Sequence, residues 1–107
     1  MNSESLIEAF FDQEVEIRPY ERMGAGKPIY GPTETRACRI EFGYHLMTTY
    51  KHPSGQIDQV EARALMFCTG EIIPEGSIAT HGGYDYTVVS CAPMMGFSQS
   101  HLEVYLM

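Results

Sequence analysis

Apolar and polar residues alternate along most of this chain with a period of two, the pattern of half-buried β-strands. The pattern begins near residue 14, where Val15 and Ile17 alternate with charged residues, and Pro19 ends that run. Further strands are predicted at 34–42, 44–51, 57–68, near Ile78, at 85–91 and at 101–106. Short strands separated by Gly- and Pro-containing turns predict an all-β fold, a small, partly open β-barrel or sandwich of five to seven mostly antiparallel strands.

Before the first strand, the spacing of apolar residues is that of a helix. Residues 3–11 place an apolar stripe on one side of a helix, and Ser5 followed by Glu8 has the spacing of an N-terminal capping box. The sequence therefore predicts one short N-terminal helix over 3–11. Because so short a helix is unstable alone, we expect it to pack against the end of the barrel.

The alternation also predicts which side chains form the core. We expect these to be mostly buried: Leu6, Phe10, Val15, Ile17, Ile40, Val60, Phe67, Ile78, Val88 and Val104.

Residues 19–32 interrupt the strand pattern with three prolines and three glycines, which predicts a long loop without strand pairing. Long loops in small domains are often functional, and this one combines apolar residues with basic ones. It is therefore the predicted interface element, with these candidate residues: Arg22, Met23, Gly24, Ala25, Gly26, Lys27, Ile29 and Tyr30. The alternative is that Ile29 and Tyr30 begin the next strand and pack locally.

With 107 residues, the chain is long enough for one domain, predicted to span 1–107. Hydrophobic residues make up 44% and charged residues 20%, a globular composition. No apolar run reaches the ~18–20 residues of a membrane span, and the first residues are acidic where a signal peptide would be basic. We therefore expect a protein made in the cytosol that does not bind membranes.

Charge is distributed unevenly. The net charge is −7, and all seven lysines and arginines fall between Arg18 and Arg63. An acidic balance argues against nucleic acid as the main partner, because phosphate binding requires concentrated basic residues. If the folded chain has one basic and one acidic face, these faces would favour stacking of identical subunits. The alternative is that the charges are merely solvated and that their separation along the sequence has no role in assembly.

Motifs for chemistry are weak. Cys38, Cys68 and Cys91 are widely spaced within predicted strands, which favours reduced, buried thiols over a disulfide framework or a zinc site. The four histidines lack the spacing of metal ligands. Gly24-Ala25-Gly26-Lys27 faintly resembles a phosphate loop, but Pro28 prevents the helix that such a loop requires. The sequence thus predicts no catalytic, cofactor-binding or metal-binding residues, and a protein that is not an enzyme.

One stretch resembles a known family. Residues 73–90 combine a turn ending in Gly76-Ser77, a strand, the Gly82-Gly83 turn and a strand with Tyr84, Tyr86 and Val88. A loop and the final strand at 101–106 follow. This pattern is similar to the C-terminal half of head–tail joining proteins of long-tailed bacteriophages and prophages, also called head-closure, stopper or minor capsid proteins. It covers residues 73–106, while the chain length, the N-terminal helix and the long early loop agree more loosely.

The resemblance implies a structural protein of the virion neck. Such a protein would form a homo-oligomeric ring between the portal or adaptor and the tail-terminator-type proteins. Its loops would help to close the DNA channel, through which DNA passes without sequence-specific binding. Two alternatives remain open: a β-barrel module that recognises another protein, and a small metal-binding enzyme using His81, Asp85 and His101.

Overall fold

The computed structural model describes residues 11–52, 54–95 and 100–107. Within these residues, eight strands follow one another: β1 (Gln13–Arg18), β2 (Tyr20–Gly24), β3 (Lys27–Tyr30), β4 (Glu34–Lys51), β5 (Ile57–Cys68), β6 (Ile78–His81), β7 (Tyr84–Met95) and β8 (Ser100–Leu106). The described residues include no helix. The predicted all-β class is therefore confirmed.

Six strands form the main sheet in the order β1-β4-β5-β8-β7-β6, and every neighbouring pair is antiparallel. Because β1 pairs with β4 along one edge and with β6 along the other, the order closes on itself. The sequence predicted a partly open barrel or sandwich, whereas this circuit of pairings is closed. The closure depends on β1, a six-residue strand that makes five register pairs with β4 and three with β6.

The core lies inside this circuit, where alternate side chains of the six strands meet. Val15 and Ile17 of β1 are 1% and 0% exposed, whereas their neighbours Glu14 and Glu16 face outward. Of the predicted core, these are buried: Val15, Ile17, Ile40, Val88 and Val104. Val60, Phe67 and Ile78 are half-buried, and Leu6 and Phe10 lie outside the described residues.

The helix predicted over 3–11 also lies, apart from Phe11, outside the described residues. Phe11 itself is buried and belongs to neither a helix nor a strand.

The strands predicted at 34–42 and 44–51 are one continuous strand. Gly43 adopts φ of +80°, and the register between β4 and β5 shifts between Phe42 and Leu46. A bulge of this kind bends a strand without ending its pairing, so the apparent break in the alternation is not a turn. Beyond it, residues 46–51 pair with 57–62 and form what we call the outer arm.

The tip of the outer arm is held by polar contacts. The backbone N–H of His52 donates to the Gln56 carbonyl over 2.7 Å, and His52 Nε2 lies 2.8 Å from Asp58 Oδ2. The His52 ring also contacts the Tyr50 ring at a tilt of 56°, with centroids 4.6 Å apart. Burial raises the pKa of Tyr50, and the nearby Tyr30 adds to that rise.

The predicted long loop at 19–32 is wrong. Residues 20–30 instead form an antiparallel hairpin of β2 and β3, separate from the main sheet. Ala25 and Gly26 form its turn, and Pro28 is tolerated because a two-stranded sheet leaves each strand with one unpaired edge.

Candidate functional site

The β2–β3 hairpin turns through two residues with positive φ, Ala25 at 51° and Gly26 at 79°. Two such residues define the type I′ turn, whose twist matches that of the flanking strands. Gly24 pairs with Lys27 across the turn, and a side chain at Gly24 would overlap Ile29 Cδ1. A larger residue at Gly24 would therefore force the Ile29 side chain to move, whereas glycine is favoured at Gly26 by backbone conformation.

The base of the hairpin is fixed to the main sheet by backbone groups. Gly31 N–H donates to the Pro19 carbonyl over 2.7 Å, which closes the base. Tyr20 N–H donates to Ser77 Oγ over 2.9 Å, and the Ser77 hydroxyl donates to the Pro74 carbonyl over 2.6 Å. A buried serine in the segment before β6 thus connects the hairpin to the barrel.

Aromatic rings cover the same base. The rings of Tyr20 and Tyr30 meet edge to face, with centroids 6.5 Å apart. The Arg18 guanidinium lies 5.8 Å from the Tyr30 ring centroid, within the range of a cation–π contact. These contacts orient the hairpin while leaving its tip in solvent.

The predicted interface residues all lie on this hairpin, so the structure keeps them together. Arg22, Ala25, Gly26 and Lys27 are exposed, whereas the other four are partly covered: Met23, Gly24, Ile29 and Tyr30. Register places Arg22 opposite Ile29, so Ile29 does belong to a strand, as the alternative interpretation held. That strand pairs only with β2 and is separate from the main sheet.

The hairpin carries two basic side chains without an ion pair. Arg22 and Lys27 contact no acidic group among the residues that the structure describes, whereas Arg18 pairs with Asp85 at 3.2 Å. In a chain of net charge −7, the hairpin carries Arg22 and Lys27 against one acidic residue, Glu21, and so has a small positive net charge. An exposed, unpaired charge on a projecting element is available to a partner of opposite charge.

An acidic recess lies elsewhere on the barrel surface. It encloses about 400 Å³ and is lined by Glu14, Val15, Glu16, Thr35, Thr80, His81, Gly82 and Gly83. The carboxylates of Glu14 and Glu16 point outward from β1 and make no ion pair with a described residue. His81 Nδ1 lies 3.0 Å from the Glu14 carbonyl and fixes the β6–β7 turn against β1.

The local sequence pattern does not reveal this recess. The acidic alternation of β1 was visible, but the positions of Thr80 and His81 beside it follow only from the β1–β6 pairing. Pairing between strands separated by some sixty residues cannot be obtained from local periodicity.

The residues considered for a metal site have separate partners. Asp85 binds Thr80 Oγ1 and Arg18, whereas His101 Nε2 lies 3.4 Å from Glu103. Across residues 11–52, 54–95 and 100–107, no three His, Cys, Asp or Glu side chains are arranged to hold a metal ion.

Comparisons with protein-family models, with curated proteins and with solved structures found no match to this chain. The described residues also contain no helix of the length and apolarity needed to cross a membrane.

Proposed function

We propose that this protein is a structural subunit of a bacteriophage or prophage neck, which joins head to tail and helps to close the DNA channel. The observation that carries the proposal is the β2–β3 hairpin, a separate, fixed projection whose Arg22 and Lys27 lack ion-pair partners among the described residues. The resemblance of residues 73–106 to head–tail joining proteins supports the phage role. The three-dimensional arrangement supports an assembly role independently of that resemblance.

In the proposed interface, the basic hairpin of one copy binds the acidic recess of a second copy, because their charges are opposite. Arg22 and Lys27 are basic, and Glu14 and Glu16 are acidic and exposed. An interface between two different surfaces of the same chain is heterologous, and such an interface generates a ring when its rotation closes. In the ring, portal or adaptor proteins would bind one side and tail-terminator-type proteins the other.

A net-acidic protein also suits a channel through which DNA passes. Phosphates are repelled by surface carboxylates, so DNA would slide past the ring without sequence-specific binding. Retention of DNA would then depend on steric closure.

Charge exchange tests the proposed interface. The double variant Arg22→Glu/Lys27→Glu should lose self-association at low salt, measured by sedimentation velocity over a range of concentrations. The matched control Lys51→Glu changes a basic residue on the outer arm and should associate like the native protein. Mixing the hairpin variant with Glu14→Arg/Glu16→Arg should restore association. A native chain that stays monomeric at the highest soluble concentration, or a charge-reversed hairpin without effect, would contradict the proposed interface.

The phage role has its own test. If the proposal holds, portal, terminase and tail genes lie beside the gene for this protein, and a deletion in a functional phage yields heads without tails. A gene among unrelated metabolic genes would argue against it.

The second candidate is a protein-recognition module outside a phage. The two-stranded hairpin leaves outer strand edges that could accept an extended peptide. Such a module would remain monomeric in the sedimentation experiment and would bind peptide through β2 or β3.

A further inference from the structure

Two cysteines that lie thirty positions apart in the sequence are cross-strand partners in the barrel. Cys38 of β4 is directly opposite Cys68 of β5 in the register of that pair. Both are 0% exposed, both belong to the same core cluster, and both are free thiols. The sequence predicted separate buried thiols; the burial of these two is confirmed, but they are neighbours.

The register brings them within reach of a covalent bond. Opposed residues of an antiparallel pair have Cα atoms ~4.5 or ~5.5 Å apart, and disulfides span ~4.4–6.8 Å between Cα atoms. Because both side chains point into the same core, neither strand has to rotate. We propose that Cys38 and Cys68 are a site of reversible oxidation, at which a cross-strand disulfide ties β4 to β5. This inference concerns the barrel alone and does not depend on the proposed function.

Arg36 distinguishes the two thiols. Its guanidinium donates to the carbonyls of Thr69 and Glu71 at 3.0 and 2.8 Å, which holds it beside Cys68. Burial raises the pKa of Cys68 to about 11, and the positive charge of Arg36 opposes that rise. Burial and the neighbouring Cys68 raise the pKa of Cys38 to about 12. Cys68 is therefore the thiol that ionises first and acts as the nucleophile.

Hydrogen peroxide is an oxidant small enough to enter the core when the strands open locally. The Cys68 thiolate attacks one peroxide oxygen, the O–O bond breaks, and sulfenic acid and hydroxide form. The Cys38 thiol then attacks the Cys68 sulfur, and the sulfenic oxygen leaves as water. In total, two thiols and one peroxide give one disulfide and two waters. Because both thiols are buried and mostly protonated, the reaction should be slow compared with that of an exposed thiol.

Cys91 is the competing thiol. It is partly exposed, lies on β7 two strands away from β5, and its sulfur accepts the Ile73 N–H over 3.4 Å. It is near enough to Cys68 to affect that residue's pKa. A test must therefore show which two sulfurs are joined.

The test is oxidation of the folded protein by hydrogen peroxide, followed by alkylation, intact-mass measurement and peptide mapping. We expect a product that carries one alkyl group where the unoxidised protein carries three, with a Cys38–Cys68 cross-link that dithiothreitol reverses. The cross-link closes a loop within the chain, so the melting temperature should rise by ~5 °C or more.

Three matched variants make the result decisive. Cys91→Ala should still form the cross-link, whereas Cys38→Ala and Cys68→Ala should not. Circular dichroism checks that each variant is folded, and a variant that unfolds is replaced by the corresponding serine or valine substitution. A native protein that retains all three thiols after prolonged oxidation, or that joins Cys91 instead, would overturn the proposal.

Discussion

Ser77 connects the hairpin to the barrel through its hydroxyl group, which accepts one hydrogen bond and donates another. The oxygen accepts from the Tyr20 N–H over 2.9 Å, and the hydroxyl donates to the Pro74 carbonyl over 2.6 Å. Ser77 is 0% exposed, so water cannot replace either contact. A buried polar group of this kind is stable only because each of its hydrogen bonds is made.

Replacing this serine should therefore weaken the whole molecule. We expect Ser77→Ala to lower the free energy of unfolding by ~1–3 kcal/mol, because the Tyr20 N–H is left without an acceptor. Urea denaturation followed by circular dichroism measures the change. The matched control is Ser90→Ala, a partly buried serine on β7, which should change stability by less than ~0.5 kcal/mol. Equal losses in the two variants would show that the Ser77 contacts contribute little.

The buried thiols predict a specific pH dependence. In the folded protein the pKa values of Cys38 and Cys68 are raised from 9.0 to about 12 and about 11, so folding favours their neutral forms. Their stabilisation is complete below pH 9 and is lost as the pH rises toward the folded-state values. Each thiol should reduce the free energy of unfolding by up to ~1.4 kcal/mol per pH unit in that window.

Urea denaturation of the reduced protein at pH 8, 9, 10 and 10.5 measures this loss. Cys38→Ala should show a shallower decline than the native protein, since it has one fewer titrating thiol in the core. If both proteins decline in parallel, other groups cause the alkaline loss.

At the scale of elements, the hairpin and the β4–β5 pair differ most from what the sequence indicated. The alternation located Val15 and Ile17 and most of the long strands, because a half-buried strand repeats every two residues. It could not show that residues 20–30 pair with each other, since Gly24, Gly26 and Pro28 are equally typical of loops. Nor could it reveal the bulge at Gly43, which depends on the register with β5.

The candidate residues could be grouped from the sequence because they lie close together in it, and the structure places them on one hairpin. The acidic recess and the Cys38–Cys68 pair could not be predicted, because both depend on which strands are neighbours.

The hairpin should be dispensable for folding and required for association. Deletion of residues 23–28 removes the tip but keeps the contacts of Tyr20, Tyr30 and Ser77 at the base. We therefore expect the melting temperature to stay within a few degrees of the native value, while self-association is lost. Differential scanning calorimetry and sedimentation velocity give the two measurements.

An unfolded deletion variant would show that the hairpin is part of the scaffold. A folded variant that still associates would remove the hairpin from the interface.

At the scale of the whole molecule, we expect stability to depend on the closure made by β1. β1 is short, yet it joins β4 to β6 and so completes the circuit of six strands. The outer arm is different, because its pairs between residues 46–51 and 57–62 extend beyond the part of β5 that β8 covers. The molecule is elongated, with extents of 48 × 29 × 26 Å. From this arrangement we expect the barrel to unfold cooperatively and the arm to open separately.

Proline substitutions at two positions test that division. Glu16 pairs with Thr35 on one side and Thr80 on the other, whereas Gln59 pairs with Thr49 in the outer arm. Proline removes a backbone N–H and restricts φ, so Glu16→Pro breaks a ladder on which closure depends. We expect it to destabilise the entire barrel, with faster amide exchange in every barrel strand.

Gln59→Pro should speed exchange only in the outer arm and leave the urea midpoint of the barrel nearly unchanged. Glu16→Gln controls for the loss of charge at Glu16 and should preserve the exchange pattern, because it retains the backbone N–H. Hydrogen exchange read by mass spectrometry resolves these regions. If Gln59→Pro accelerated exchange in β1, β6 and β8 as strongly as Glu16→Pro does, the arm and the barrel would unfold as one unit. In that case stability would not depend specifically on the closure at β1.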